Sequence, residues 1–164
     1  MKEVQIAVPS AELIVIGDGP LREELAEKAR KTLNKFTFLG TQPVSTVKAW
    51  LNRARVFCVP SIVARSGDAE GFGMVFAEAQ AMGTPVVSFS SGGVPEAVAH
   101  GKTGFLAPER DWRHLAKFII ELFQNDSLWN QLSTSGRERV QHSFNLNRQC
   151  DLLESFYASA IHSN

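Results

Sequence analysis

The sequence predicts an α/β fold: a Rossmann-like parallel β-sheet with helices on both faces, followed by C-terminal helical segments. Two observations lead to this prediction. Short runs rich in β-formers alternate with longer helical patterns from residue 13 to residue 106, as they do in successive βαβ units. Beyond residue 111 only helical patterns remain. We therefore expect one α/β domain over residues 1–164.

Five strands are expected where apolar runs meet Gly or Pro turns. The first, Leu13–Ile16, is an unbroken apolar run closed by Gly17 and Pro20, which is typical of a buried strand. The other four fall at 36–39, 56–59, 85–89 and 103–106. The connection 61–72 is longer than the roughly two to six residues usual between a strand and a helix, and long connections often serve function.

Helices are expected between and after these strands. In the segment after the first strand, Leu21, Leu25 and Ala29 share one helical face and charged side chains occupy the other. Further helices are expected at 43–54, 74–82, 94–99, 112–124, 127–143 and 146–161. The expected N-caps of the last three are Asp111, Asp126 and Asn145.

The chain starts late relative to this fold. A doubly wound unit opens with a strand and a helix before its second strand, yet only residues 1–12 precede Leu13. Val4, Ile6, Ala7 and Val8 fit the tail of a helix. We therefore expect that the chain lacks the first strand and helix of its domain.

Charge and composition exclude several classes of function. The 17 Lys and Arg residues balance 17 Asp and Glu, which removes the electrostatic case for nucleic acid or an anionic membrane as the main partner. No apolar run approaches the ~20 residues of a membrane span, and the stretch that begins Met1-Lys2-Glu3-Val4 lacks the apolar region typical of a signal peptide. Cys58 and Cys150 match no metal or disulfide pattern. We expect a cytoplasmic protein without a transmembrane segment.

The most informative stretch runs from Glu70 to Glu78. Gly71 and Gly73 flank the point where loop becomes helix, which leaves backbone N–H groups unobstructed at a positive helix end and favours phosphate or a sugar oxygen. At about 1.5 Å per residue, Glu78 lies about 7–8 Å along the helix from Gly73. The two carboxylates are then on the order of 10 Å apart, near or beyond the separation of about 5–9.5 Å at which two acids flank one glycosidic bond.

This spacing disfavours a general acid/base pair and favours two hydroxyl acceptors at the ends of an extended ligand with an anionic centre. A nucleotide-sugar, with ribose, diphosphate and sugar in that order, has such a shape. From spacing alone the alternative is equally open: Glu78 is a solvated helix residue and Glu70 a loop charge.

The pattern Glu-Gly-Phe-Gly-x-Val-x-x-Glu-Ala formed around Glu70 and Glu78 resembles the donor-site signature of retaining family-4 glycosyltransferases. These enzymes have the GT-B architecture of two facing Rossmann-like domains. Other stretches fit the family in the same order, and together they cover almost the whole chain: 13–20, 38–40, 59–61, 81–87, 92–96 and 101–106. The resemblance implies that the chain is the C-terminal, donor-binding half of such an enzyme.

The resemblance also implies a role for each site residue. Glu78 would hold the ribose hydroxyls, and Glu70, the expected catalytic residue, would accept hydrogen bonds from the transferred sugar. Backbone N–H groups of the stretch that starts at Gly71 would meet the sugar and the diphosphate; they belong to Phe72, Gly73, Met74 and Val75.

Three further residues are binding candidates. Thr41 and Gln42 would lie where the nucleobase docks, although an ordinary strand-to-helix turn fits them almost as well. Arg65 lies in the loop 62–69, which is longer than the common family pattern. It is a candidate for diphosphate or acceptor contact, against the alternative of a solvated loop arginine. The Arg and Lys that neutralise the diphosphate in family members would precede residue 1.

The implied function is hexosyl transfer, with retention, from a nucleotide-sugar to an acceptor in surface polysaccharide or glycolipid synthesis. A UDP-sugar is the leading donor candidate, and no metal or other cofactor is expected. The implied partner is an N-terminal acceptor domain of the same enzyme, through which peripheral association with the inner face of the membrane could occur. Without that domain the chain should be inactive. The alternative is a non-catalytic nucleotide or nucleotide-sugar binding module of Rossmann type.

Overall fold

The structure, a computed structural model, describes residues 1–162, so the last two residues of the predicted domain lie outside the described residues. The strands are β1 (Leu13–Ile16), β2 (Phe36–Gly40), β3 (Phe57–Cys58), β4 (Val86–Phe89) and β5 (Gly104–Ala107). The helices are α1 (Lys2–Ala7), α2 (Arg22–Thr32), α3 (Val44–Arg53), α4 (Met74–Ala81), α5 (Val94–Ala97), α6 (Trp112–Gln124), α7 (Asp126–Ser143) and α8 (Leu146–His162).

Every pair of neighbouring strands is parallel. β1 pairs with β2, with Leu13 opposite Phe36, and β3, β4 and β5 form a second group in that order, with Val86 opposite Phe57 and Gly104. Among the described residues, no strand pairing joins the two groups. The predicted α/β fold is confirmed, with its strands in two hydrogen-bonded groups.

Helices cover both faces of the β3–β4–β5 group. Since successive strand side chains point to opposite faces, each strand contributes to two cores. Val87 and Phe105 face one core, which also contains residues of α1, α6 and α7 such as Leu122. Val86 and Leu106 face the other core, with residues of α3, α4 and α5. This two-sided burial explains why β4 is entirely buried.

Helix α1 links the two strand groups. Val4 is fully buried in the same core as Val87 of β4. The adjacent Gln5 is also buried, and its Nε2 donates to the carbonyl oxygens of Ala11 (3.0 Å) and Lys35 (2.7 Å). Its Oε1 accepts from the amide of Asn34 at 2.9 Å. The helix expected to end in this segment is present as Lys2–Ala7, and Val8 lies outside it as the C-cap.

Three details differ from the sequence-based expectations. β1 is half-buried rather than buried, because it has a strand partner on one side only. The strand expected at 56–59 is reduced to Phe57–Cys58, since the carbonyl oxygen of Val59 accepts from the hydroxyl of Ser88 instead of joining the ladder. Asn125, not Asp126, caps α7, because its side chain accepts from the amide of Leu128.

The last helix packs loosely on the rest of the chain. The large apolar side chains of α8 are exposed: Leu146, Leu152, Leu153, Phe156, Tyr157 and Ile161. In the part of the chain that the structure describes, none of the helices combines the length and the apolar character that crossing a membrane requires.

Candidate functional site

The connections after β3, β4 and β5 lie at one edge of the sheet, because the carboxyl ends of parallel strands share an edge, which is where open α/β sheets bind ligands. The longest of them, residues 59–73, follows β3 and leads into α4. Residues 90–93 follow β4 and lead into α5. The candidate site lies where these two connections meet.

The first part of the long connection forms a tight turn of its own. The amide of Ala64 donates to the carbonyl oxygen of Asp68 at 2.8 Å, and the Ser66 hydroxyl donates to the Asp68 carboxylate at 2.6 Å. Arg65 is exposed within this turn. Arg110, which follows β5 with a left-handed φ of 66°, donates from Nη2 to the carbonyl oxygen of Val63 at 3.4 Å. The loop therefore has defined local structure.

The glycine-rich segment, residues 70–75, is shaped by Gly73. This residue is the N-cap of α4 and has a left-handed φ of 71°, which L side chains rarely adopt. A Cβ there would lie 2.5 Å from the Phe76 ring and 3.3 Å from Cγ of Glu70. The stem of Glu70 thus lies against the helix start. No side chain caps α4, so the amides of Met74 and Val75 at its positive end are available to an anion.

The second connection holds the glycine-rich segment from the side. The amide of Gly93 donates to the carbonyl oxygen of Glu70 at 2.8 Å. A Cβ on Gly93 would overlap the carbonyl oxygen of Gly71, and a Cβ on Gly92 would overlap that of Glu70. The Gly92-Gly93 pair therefore lets the two connections touch backbone to backbone.

Glu78 lies on the outer side of α4. It is exposed, whereas its neighbours Phe76, Ala77 and Ala79 are buried. Among the described residues, the Glu78 carboxylate makes no hydrogen bond or ion pair. Since the helix is anchored by its apolar face, the backbone at Glu78 is fixed and its carboxylate is open to a ligand.

Most of the predicted site residues lie on one continuous stretch of chain. The glycine-rich segment, which includes Glu70, and Glu78 lie on consecutive parts of one loop and helix. Thr41 and Gln42 follow β2 in the other strand group, where Nε2 of Gln42 donates to the carbonyl oxygen of Leu39 at 2.7 Å. Within residues 1–162, no hydrogen bond or ion pair joins Thr41, Gln42 or Arg65 to the glycine-rich segment.

Sequence reasoning missed two contacts to this segment. The Gly92-Gly93 pair was visible as part of a family pattern, but nothing local showed that it packs on Gly71. The Phe72 ring meets the Phe144 ring edge-to-face, with centroids 4.9 Å apart. No sequence signal connects these two aromatic residues.

Metal-binding side chains are not clustered in the described part of the chain: no group of three or more His, Cys, Asp or Glu residues there is placed to hold an ion. Cys58 and Cys150 are free thiols.

A parallel α/β fold with an uncapped, glycine-rich helix start at the carboxyl edge of its sheet is an arrangement at which other α/β proteins bind phosphate groups. The family described as "Glycosyl transferases group 1" matches residues 1–139. The chain belongs to this family.

Curated relatives are bacterial glycosyltransferases. The amylovoran biosynthesis glycosyltransferase AmsK of Erwinia amylovora is 34% identical over 136 residues, which cover 82% of this chain and 33% of the relative. The putative colanic acid biosynthesis glycosyltransferase WcaL of Salmonella typhimurium is 43% identical over 115 residues, covering 67% and 28%. The chain thus spans about a third of the length of the relatives it matches.

Solved structures share the fold. Anabaena HepE in complex with UDP-glucose superposes with a TM-score of 0.78 at 23% identity, covering 96% of this chain and 44% of HepE. The C-terminal domain of the group 1 family protein LpcC from Francisella tularensis gives 0.73 at 20% identity, covering 88% and 77%. The chain has the fold of the C-terminal domain of GT-B glycosyltransferases.

Proposed function

We propose that this chain is the donor-binding domain of a retaining family-4 glycosyltransferase that transfers a hexosyl unit from a nucleotide-sugar. The observation that carries the proposal is the left-handed Gly73 at the start of α4, between Glu70 and Glu78. It starts α4 without a capping side chain, so that uncapped helix-end amides lie between the two glutamates along the chain. Membership of the group 1 family supports the same function.

Each part of the donor has a matching group in this proposal. The diphosphate meets the amides of Met74 and Val75, because a helix N-terminus stabilises negative charge. Glu78, about 7–8 Å further along the helix axis, accepts hydrogen bonds from the ribose hydroxyls. Glu70, on the opposite side of Gly73, accepts from hydroxyls of the transferred sugar. Amides of Phe72 and Gly73 complete the sugar site.

The donor is proposed to be a UDP-sugar. Support comes from the fold shared with HepE, whose structure contains UDP-glucose. Thr41 and Gln42 would then line the uracil site at the end of β2, and Arg65 would approach the diphosphate or acceptor from the loop tip. Tighter binding of a guanine or adenine nucleotide than of UDP would contradict this part of the proposal.

Transfer is proposed to proceed without a metal ion. The leaving diphosphate gains charge as the glycosidic bond breaks, and fixed dipoles that already point at that charge lower the barrier. The first-turn amides of α4 supply such dipoles, and basic side chains from outside this chain add to them. Addition of EDTA should then leave turnover unchanged.

The full-length protein is proposed to pair this domain with an acceptor-binding domain. AmsK and WcaL are named for polysaccharide biosynthesis, which supports an acceptor in surface polysaccharide or glycolipid synthesis. A cytoplasmic location at the inner face of the membrane would bring both the nucleotide-sugar and such an acceptor within reach.

Nucleotide binding by the full-length protein tests the proposal. Calorimetric titration with UDP, GDP and ADP identifies the base, and Glu78→Gln should weaken binding of the preferred nucleotide roughly tenfold to 100-fold, because hydrogen bonds to a charged acceptor are lost. Glu24→Gln, at an exposed glutamate on α2, is the matched control and should bind normally. Glu70→Gln should mainly slow cleavage of the donor bond between the sugar and the nucleoside diphosphate.

Two results would change the conclusion. Nucleotide binding that is indifferent to both glutamates would indicate a non-catalytic binding module instead. An inverted anomeric configuration in the product, measured by NMR, would contradict the retaining mechanism.

A further inference from the structure

The junction between α7 and α8 lies against the glycine-rich segment. Phe144 ends α7, with its amide donating to the carbonyl oxygen of Val140 at 3.0 Å, and α8 begins at Leu146. The Phe144 ring is half-buried and meets the Phe72 ring at an interplanar angle of 75°. This edge-to-face geometry is the favourable one for aromatic pairs. The side chain of Phe72 therefore packs on the protein and leaves its backbone for the site.

Arg139 also contacts the Phe144 ring. The guanidinium carbon lies 5.4 Å from the ring centroid, within the range of a cation–π contact. Nη2 of Arg139 donates to the carbonyl oxygen of Glu96 at 2.6 Å. Since Glu96 belongs to α5, Arg139 connects α7 to the helix that follows Gly92 and Gly93.

The glycine-rich segment is consequently held by two contacts. Gly93 bonds to the carbonyl oxygen of Glu70 and abuts Gly71. Phe144 packs against Phe72. Together these contacts hold the backbone of residues 70–72, from which the side chain of Glu70 projects.

We propose that Phe144, supported by Arg139, is a positioning residue for the nucleotide-sugar donor. It acts through Phe72 and does not touch the donor. This inference rests on the proposed function. Because α4 is anchored separately by its buried face, the loss of Phe144 should disturb the sugar contacts of the loop more than the diphosphate contacts of α4 or the ribose contact of Glu78.

Kinetics of the full-length protein test the positioning role. Phe144→Ala should raise the KM for the donor roughly tenfold, since small displacements of positioning groups are costly, while the Kd of free UDP changes much less. Phe144→Tyr keeps the ring and should restore the wild-type KM. Phe36→Ala is the matched control: Phe36 is also half-buried and edge-to-face with a phenylalanine, Phe38, but lies on β2. It should leave the donor KM unchanged.

A double substitution separates positioning from general destabilisation. If Phe144 acts through Phe72, adding Phe144→Ala to Phe72→Ala should have little further effect on the donor KM. Additive effects of the two substitutions, or a KM change no larger than that of Phe36→Ala, would overturn the proposal.

Amide hydrogen exchange of the ligand-free protein tests this inference independently of the proposed function. The amides of Gly93, bonded to Glu70, and of Phe76, bonded to Gly73, report on the loop. In Phe144→Ala both should exchange their hydrogens faster, and in Phe36→Ala neither should change. Unchanged exchange in Phe144→Ala refutes positioning by Phe144, whereas failure of wild-type protein to bind any nucleotide refutes the proposed function.

Discussion

Two glycines shape the candidate site for different physical reasons. Gly73 is required for its backbone conformation, since its φ of 71° is strained for any L side chain. Gly93 has an ordinary φ of −84°, which alanine adopts freely, but there is no room for a Cβ beside Gly71. Substitution at these two positions therefore tests different properties of the site.

Gly93→Ala should weaken donor binding without changing any side chain that touches the donor. The new methyl group would displace the backbone at Gly71 and break the hydrogen bond from the Gly93 amide to Glu70. We expect a loss of about 1–3 kcal/mol in unfolding free energy, typical of overpacking, and at least a roughly tenfold weaker nucleotide Kd. Urea unfolding and calorimetry measure the two effects.

Gly19→Ala is the control for this substitution, because a Cβ at Gly19 would meet nothing within 4 Å. It should leave the nucleotide Kd unchanged. Equal effects of the two alanines would show that contact with Gly71 is not what matters.

The residues of the site differ in how well sequence could reveal them. Glu70, the glycine-rich segment and Glu78 form one continuous stretch, so their spacing and a helix start were sufficient to predict that they lie together. The contacts of Gly93 and Phe144 join segments that are distant along the chain. Such contacts follow from how whole elements pack, and no local pattern encodes them.

The N-caps of α6 and α7 are set by which residue still lies outside the helical conformation. Asp111 was predicted correctly as the N-cap of α6, and its carboxylate accepts from the amide of His114 at 3.1 Å. For α7 two suitable caps are adjacent, and the prediction of Asp126 was wrong. Asn125 caps the helix because its φ of −125° and ψ of 93° are extended, whereas Asp126 is already helical.

The cap of α6 should make stability depend on pH. The hydrogen bond from the His114 amide, followed by that to the His114 side chain, lowers the pKa of Asp111 below its ordinary value. A lowered folded-state pKa stabilises the protein above the unfolded-state pKa of about 3.9, and this contribution is lost as pH falls through the folded-state value. Asp111→Asn keeps an N-capping side chain but removes the titration.

The measurement compares urea midpoints of wild type and Asp111→Asn between pH 7 and pH 3. The wild type should be more stable at pH 7, and the difference should become smaller as the pH falls towards 3. A difference that persists unchanged at pH 3 would contradict this account, because other carboxylates titrate equally in both proteins.

At the scale of the whole molecule, α1 holds together two groups of strands that share no strand pairing within the described residues. Val4 belongs to the core around β4, and Gln5 bonds to the segments that precede β1 and β2. Helix α1 therefore provides one direct link between the two groups. The alternation of strands and helices was readable from sequence, but this division was not, because it depends on which strand edges find a partner.

Gln5→Met should destabilise the protein by about 2–4 kcal/mol. The substitution keeps the length of the side chain but leaves the carbonyl oxygens of Ala11 and Lys35 and the amide of Asn34 without their partner in a buried place. Urea unfolding measures the loss, and hydrogen exchange should show β1 and β2 losing protection before β4 and β5. Gln149→Met, at an exposed glutamine on α8, is the control and should change neither the unfolding free energy nor the order of exchange.

The unpaired edges of β1 and β3 have a consequence for handling this chain in solution. Among the described residues, each of these strands has one strand neighbour, so each offers free backbone donors and acceptors to any extended segment. β3 is two residues long and is followed closely by Pro60, which has no amide to donate. β1 is longer, wholly aliphatic and half-exposed, without a charge to discourage pairing. At high concentration, intermolecular strand addition should therefore begin at the free edges of β1 and of the equally uncharged β2, and Val15→Lys should delay addition at β1.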